Sequence, residues 1–463
     1  MSRPGRSDAA LPIGFGLSWV LLCVLMATLV VAGGASRADV SGQVVVRGVA
    51  WACLVVVALF GARPSLGHAR PVLLLGGAAL ALALVQLVPL PPGLWQALPG
   101  HAMLAEAAAA SGQAQPWRPW SIVPDATINA AASLVVPAAV LLLAAGLTER
   151  ERSWLPGLLL CLVIASALLG LLQVSGAALT NPLLNETPGV VSGSFANRNH
   201  FAAFLALGCL LVPAWMFGEG RRPGWRGPAG LGLILLFVLT ILATGSRAGM
   251  GLGVLALGIG FVLARGGLKH EFGRHPRWVL PALVIGIVGV VALFVLISFT
   301  ADRATSIDRA FAIDAGGDMR GRALPAVLAI ARTYFPFGYG FGGFDPVFRI
   351  HEPLTLLKPT YFNHAHNDLL EVVLEAGLPG LALLLAALGW WGWATLGAWR
   401  TGTRHVLPRL GSAMLGLVLI ASAFDYPART PLMMATVVVA ALWLSDRRAV
   451  GTRPALPVVG QHI

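Results

Sequence analysis

Long apolar runs separated by short polar breaks make up most of the chain. A membrane-spanning helix needs about 20 mostly apolar residues. Runs of that kind start near Ile13, Val46, Pro71, Ile128, Trp154, His200, Gly230, Gly249, Val279, Gly377, Leu410 and Thr430. The pattern predicts an all-α polytopic membrane bundle of about twelve transmembrane helices. The runs at Gly230 and Gly249 are short and flank Gly245-Ser246-Arg247, which reads as a tight hairpin. The first run follows Arg3 and Arg6 and exceeds the apolar core of a secretory signal, so it reads as an anchor. One long polar stretch stands apart, residues 300–374.

Composition agrees with this pattern. Of 463 residues, 57% are hydrophobic and 11% charged, with a mean hydropathy of +0.78. A soluble domain carries about 25% charged residues, and disorder needs few hydrophobics. Both classes are excluded. A net charge of +12 suggests nucleic acid only until the basic residues are located. They lie mostly in short loops between apolar runs, as membrane topology requires, so no nucleic-acid partner is expected. Placing the N-terminus in the cytoplasm puts most short-loop arginines on the cytoplasmic side. Both termini are then cytoplasmic, and residues 300–374 face outward. Cys23, Cys53, Cys161 and Cys209 all lie in apolar runs without a CxxC pair, which predicts neither a disulfide framework nor a zinc site.

Against this background, two outward segments carry chemistry. In the first, Asn197, Arg198, Asn199 and His200 stand side by side where a loop enters a helix. Helix N-termini favour anions, and an added arginine makes a phosphate-binding corner. Arg247, at the next outward hairpin, is placed to close on the same anion. In the long loop, Arg320, Arg322 and Arg332 accompany Leu324, Val327, Leu328 and Ile330 at helical spacing. The glycine-rich run Phe335–Phe344 follows, able to bend sharply, to approach a ligand closely, or to lie as a loop buried against the bundle. Next comes Tyr361-Phe-Asn-His-Ala-His-Asn-Asp-Leu-Leu-Glu371. Asn367 or Asp368 suits a helix N-cap, with Glu371 three residues after Asp368 as in a capping box. His366 beside that N-terminus is a candidate general base. His364, His366 and Asp368 form an alternative metal set, but no further ligand motif accompanies them, so no metal and no cofactor are expected. His200 and His351 read as lone structural histidines.

These residues resemble the O-antigen ligase / O-antigen polymerase superfamily of bacterial membrane glycosyltransferases. Gly193-Ser-Phe-Ala-Asn-Arg-Asn-His-Phe201 is similar to the family's Gly-x-Phe-x-Asn-x-Asn segment. Thr244–Gly249 resembles its Ser-Arg-Gly hairpin, and Arg322 with Pro336–Gly343 its arginine and Pro-x-x-Gly-x-Gly turn. His366-Asn-Asp-Leu-Leu-Glu-Val-Val-Leu-Glu-Ala-Gly-Leu-Pro-Gly380 is close to its His-Asn-x-x-Leu…Glu-x-Gly-x-x-Gly signature. The resemblance implies a core over residues 155–400, flanked by four N-terminal helices (1–154) and two C-terminal helices with a short tail (401–463). It also implies metal-independent glycosyl transfer at the periplasmic face of a bacterial inner membrane, from a polyprenyl-diphosphate-linked glycan to a glycan or lipid A–core acceptor. By position, His366 would be the catalytic histidine, with Arg247 and Arg322 beside it. Arg198, Asn197, Asn199, His364 and Asn367 would bind substrate, with membrane lipids around the bundle. Ligase, O-antigen or exopolysaccharide polymerase, and protein O-glycosylase remain open. A transporter or flippase is the alternative class. Transporters often show internal repeats and charges at mid-membrane; this sequence shows no clear repeat and almost no acidic residues within its apolar runs.

Overall fold

The computed structural model describes residues 15–176, 180–218, 222–273, 319–357, 362–400 and 406–446, with a few isolated positions between 276 and 289. The first helices are α1 (Leu17–Ala32), α2 (Ser41–Phe60) and α3 (Arg70–Val85). Small helices α4 (Pro92–Trp95) and α5 (Ala102–Ala110) lie between two-residue strands β1 (Pro89–Leu90) and β2 (Arg118–Pro119), which pair antiparallel. Then follow α6 (Pro124–Ser133), α7 (Val135–Ala145), α8 (Glu149–Arg152) and α9 (Leu155–Val174). The series continues with α10 (Arg198–Phe217), α11 (Arg226–Thr244) and α12 (Arg247–Phe272). The last five are α13 (Met319–Tyr334), α14 (Phe344–His351), α15 (Asp368–Arg400), α16 (Leu407–Ser422) and α17 (Pro431–Ser445).

The chain is an all-α polytopic membrane protein. Among the described residues, 7 helical stretches are long and apolar enough to cross a membrane, and α1, α3, α16 and α17 are shorter apolar helices. Hydrocarbon offers no hydrogen-bond partner, so apolar segments there satisfy their backbone as helices. These elements match all the expected spans except the one from Val279, which lies outside the described residues. The hairpin holds: α11 ends at Gly245, whose φ of 62° is left-handed, and Ser246 caps α12. The two helices are longer than the apolar runs suggest, because α12 continues through Arg265 and Lys269.

Helix α10 forms the centre. Within its spanning window 89% of residues are buried, against 22% for α2 at the edge. It packs on α9, α11, α12 and α16. A Cβ at Gly208 would lie 2.6 Å from Val163 Cγ1 and 2.8 Å from Phe237 Cε2, so glycine sets how closely the neighbouring helices approach.

Alternating helix directions bring one set of connections to a common end, where hydrogen bonds join them. Leu432 N donates to Gly33 O at 3.0 Å, Ala196 N to Gly34 O at 3.2 Å, and Phe341 N to Gln86 Oε1 at 2.9 Å. A second core lies at this end, built from Val327, Ile330, Tyr339, Phe344, Phe348 and Phe362. The expected amphipathic helix is α13, with a rotated stripe. Ala323, Val327 and Ile330 are buried, whereas Leu324 and Leu328 are 46% and 41% exposed. The cause is that α13 packs on α14 and α15 along one face only.

Candidate functional site

Three helix N-termini meet around one carboxylate. Asn197 caps α10, its side chain accepting from Asn199 N at 2.8 Å. Ser246 caps α12 and donates to Asn199 Oδ1 at 2.8 Å. Asn367 caps α15, accepting from Leu370 N at 3.0 Å. All three lead to Asp425, in the loop between α16 and α17. Asp425 Oδ2 accepts from Asn199 Nδ2 at 2.7 Å and from Asn197 Nδ2 at 3.2 Å. Its carbonyl accepts from Asp368 N at 3.3 Å.

His366 Nδ1 lies 3.0 Å from Asp425 Oδ1. A carboxylate only accepts, so Nδ1 carries a proton and donates it to this bond. Among the described residues, Nε2 makes no hydrogen bond. The His366 backbone is left-handed, with φ 52°, the only non-glycine residue of that kind among those described. Such conformations cost energy and gather at functional sites. Asp425 is 4% exposed. Burial pushes its carboxyl up, but the His200 and His366 imidazoles outweigh that and hold it well below the usual carboxylate range. His200, a lone structural histidine by sequence, is 1% exposed with Nε2 at 3.8 Å from Asp425 Oδ1. The Tyr426 ring contacts His200, His364 and His366, with centroids 4.8, 4.1 and 5.0 Å away. Burial, then the Asp425 charge, pushes its phenol up to about 12.

A second histidine–carboxylate pair lies beside the first. His364 Nδ1 is 2.8 Å from Glu371 Oε1, and its Nε2 is 3.4 Å from Ser36 Oγ. Glu371 also accepts from Ala365 N at 2.8 Å and pairs with Arg429 at 3.3 Å. Arg429 further contacts Asp368 at 3.0 Å and Glu375 at 3.1 Å. Glu371 therefore does not close a capping box with Asp368. Its side chain is drawn into this buried cluster because Arg429 is the cation within reach.

The arginines separate by position. Arg198 and Arg247 are the first residues of α10 and α12, two N-termini tied together by the Ser246–Asn199 bond. Arg322 is exposed and donates to Thr355 O at 3.0 Å. Arg320, two residues earlier and so on the other side of α13, reaches the cluster. It donates to Phe424 O at 2.7 Å and lies 3.4 Å from Asp425 Oδ2. Arg320 is legible in the sequence as part of the helix but not as a neighbour of His366. Asp425 gives one signal, an acidic residue between two apolar runs that hold almost none.

The glycine-rich turn packs against protein. A Cβ at Gly340 would meet Ser121 Oγ at 2.2 Å, and one at Gly377 would meet Pro336 O at 2.0 Å. Gly342 N donates to Glu375 Oε1 at 2.8 Å. His351 bonds the Tyr334 hydroxyl at 3.0 Å, a structural contact. Among the described residues no three His, Cys, Asp or Glu side chains converge as metal ligands.

Residues 231–385 match the family model described as O-antigen ligase. The matched stretch holds Arg247, Arg320, Arg322 and His366, but neither Asn197–His200 nor Asp425. No curated protein matches the chain.

Proposed function

We propose, from the match of residues 231–385 to the O-antigen ligase family model, that the chain is a membrane glycosyltransferase drawing glycan from an undecaprenyl-diphosphate-linked donor at the periplasmic face of the inner membrane. The reaction takes one of two forms, O-antigen ligation or the polymerisation of O-antigen or exopolysaccharide. The observation that carries the reading is the His366–Asp425 pair, with Nε2 of His366 unbonded. It sits where loops from distant parts of the chain converge.

An acceptor hydroxyl placed behind the anomeric carbon gives its proton to His366 Nε2 as its oxygen forms the new glycosidic bond. The bond from the anomeric carbon to the diphosphate breaks, and the electron pair leaves on the diphosphate oxygen. Asp425 holds the imidazole in the required tautomer and stabilises the imidazolium that forms, as in other carboxylate–histidine pairs. The departing charge falls to cations at the N-termini of α10 and α12, Arg198 and Arg247, with an arginine of α13 completing the ring. Arg320 is better placed for that than Arg322. Asn197, Asn199, His364 and Asn367 shape the walls. The reaction so written uses protein cations throughout and calls on no metal.

Both termini lie in the cytoplasm in this reading, which places short basic connections such as 61–69 opposite the site. The test is complementation of a deletion strain. His366→Ala restores neither glycan ligation nor chain lengthening, while the protein inserts in normal amount. A lipid-linked polymer that accumulates unligated identifies a ligase, and single repeat units identify a polymerase. Wild-type transfer by His366→Ala overturns the reading, and so does ion-coupled substrate flux through vesicles without transfer.

A further inference from the structure

At the end of the bundle opposite the His366 cluster, a cavity of about 440 Å³ lies between α1, α2 and α7. Small residues are part of its lining, Ser18, Ala58 and Gly146 among them. A Cβ on Gly146 would come within 2.8 Å of Ser18 Oγ, so glycine lets α1 and the end of α7 pack closely beside the cavity. Trp51 and Val55 line it from α2 and are 59% and 53% exposed, so the cavity opens on the face of the least buried spanning helix. On a helix long and apolar enough to span the membrane, such a surface is suited to acyl chains. Among the described residues, Arg63 is the only ionisable side chain in the lining. A second guanidinium, Arg152, donates to Ala145 O at 2.9 Å, next to the lining residue Gly146. The Glu151 carboxylate, next to Arg152 in the chain, is engaged by Gly16 N at 2.7 Å and by Thr148 N and Oγ1 at 2.9 Å.

A volume of this size is in the range of ligand pockets, and basic pockets between transmembrane helices suit anionic lipid headgroups. We propose that this cavity binds one anionic phospholipid, its phosphate on Arg63 and an acyl chain along α2. Bulk lipid is as apolar as the cavity wall, so the headgroup on Arg63 is the contact that discriminates. This inference does not rest on the proposed glycosyl transfer.

The test is native mass spectrometry of the purified full chain titrated with phosphatidylglycerol and with phosphatidylcholine of the same acyl composition. Phosphatidylglycerol is retained in preference. Arg63→Gln weakens its binding about fivefold and leaves phosphatidylcholine unchanged. Ala58→Trp, which fills the cavity, removes the bound lipid; should that variant fail to purify, Arg63→Gln decides alone. Equal retention of the two lipids overturns the proposal, as does phosphatidylglycerol binding that ignores Arg63→Gln. More bound lipid after deletion of residues 1–14 also overturns it, by marking the cavity as the seat of that segment.

Discussion

Two histidines two residues apart, each on a carboxylate through Nδ1, have opposite surroundings. His364 is closed in: Glu371 is fully buried and shared with Arg429 and Ala365 N, and Nε2 is turned to Ser36. His366 is hydrogen-bonded through one ring nitrogen only, to Asp425, and its Nε2 makes no hydrogen bond among the described residues. The same pair of side chains serves as a brace in one case and a candidate base in the other. What separates them is which ring nitrogen has nothing to do. The left-handed backbone accompanies that difference, at the residue whose Nδ1 reaches Asp425.

The largest expected effect tests this division directly. His366→Ala lowers glycan transfer by about 10²–10⁴-fold, the usual contribution of a general base. His364→Ala costs less than that and lowers the thermal midpoint instead. Transfer rates on membranes, measured beside detergent melting curves, separate the two, and equal losses of transfer would dissolve the contrast. Asp425→Asn comes next, on the order of 10²-fold, because an amide can donate to Nδ1 and so favour the wrong tautomer.

Asp425 also carries a pH signature. Its folded carboxyl lies below the ordinary value of about 3.9, with burial opposed and outweighed by His200 and His366. A depressed carboxylate contributes stability that is fully present above the unfolded value and lost as pH falls through the folded one. The wild-type midpoint therefore declines below about pH 4 more steeply than that of Asp425→Asn. Parallel curves would show that the pairing contributes nothing to folding.

Much of the architecture is legible in the sequence because a spanning helix is a one-dimensional signal: length and apolarity suffice. His366 is legible for a similar reason, since its candidate cap, Asn367, is adjacent in sequence. Asp425 and Arg320 are not. Their meaning depends on which loops meet at one end of the bundle, and local spacing does not encode that. Hydropathy alone marks the N-terminal helices, yet Ser36, Gln86 and Ser121 brace His364 and the glycine-rich turn. The turn leaves two readings open, a ligand approach or a buried loop, for the converse reason. Glycine allows close approach by anything, and here the approaching atoms are Ser121, Ala126 and Glu375.

A smaller effect on transfer, and a larger one on folding, is expected at Arg429. Arg429→Ala leaves Asp368, Glu371 and Glu375 without their shared cation. Breaking a buried pair in this way costs about 3–5 kcal/mol, or roughly 3–5 °C in midpoint for a chain of this size. The fraction that remains folded keeps much of its transfer activity, since His366 and Asp425 do not touch Arg429. Loss of transfer at an unchanged midpoint would move Arg429 from the brace to the reacting side.

The smallest effect belongs to Tyr426, although its ring touches all three histidines. A phenol pushed up to about 12 stays protonated at any pH the membrane tolerates, so it cannot be the base that takes the acceptor proton. Its contribution is the apolar face that spaces His364 from His366. Tyr426→Phe keeps that face and removes only the hydroxyl. The expected loss of transfer is less than about tenfold, the size of one ordinary hydrogen bond of about 1 kcal/mol, with the pH dependence of transfer unchanged. Tyr426→Ala removes the spacer as well and lets the two imidazoles approach, so its loss is larger. A Tyr426→Phe variant as inactive as His366→Ala would shift the proton transfer from the imidazole to the phenol.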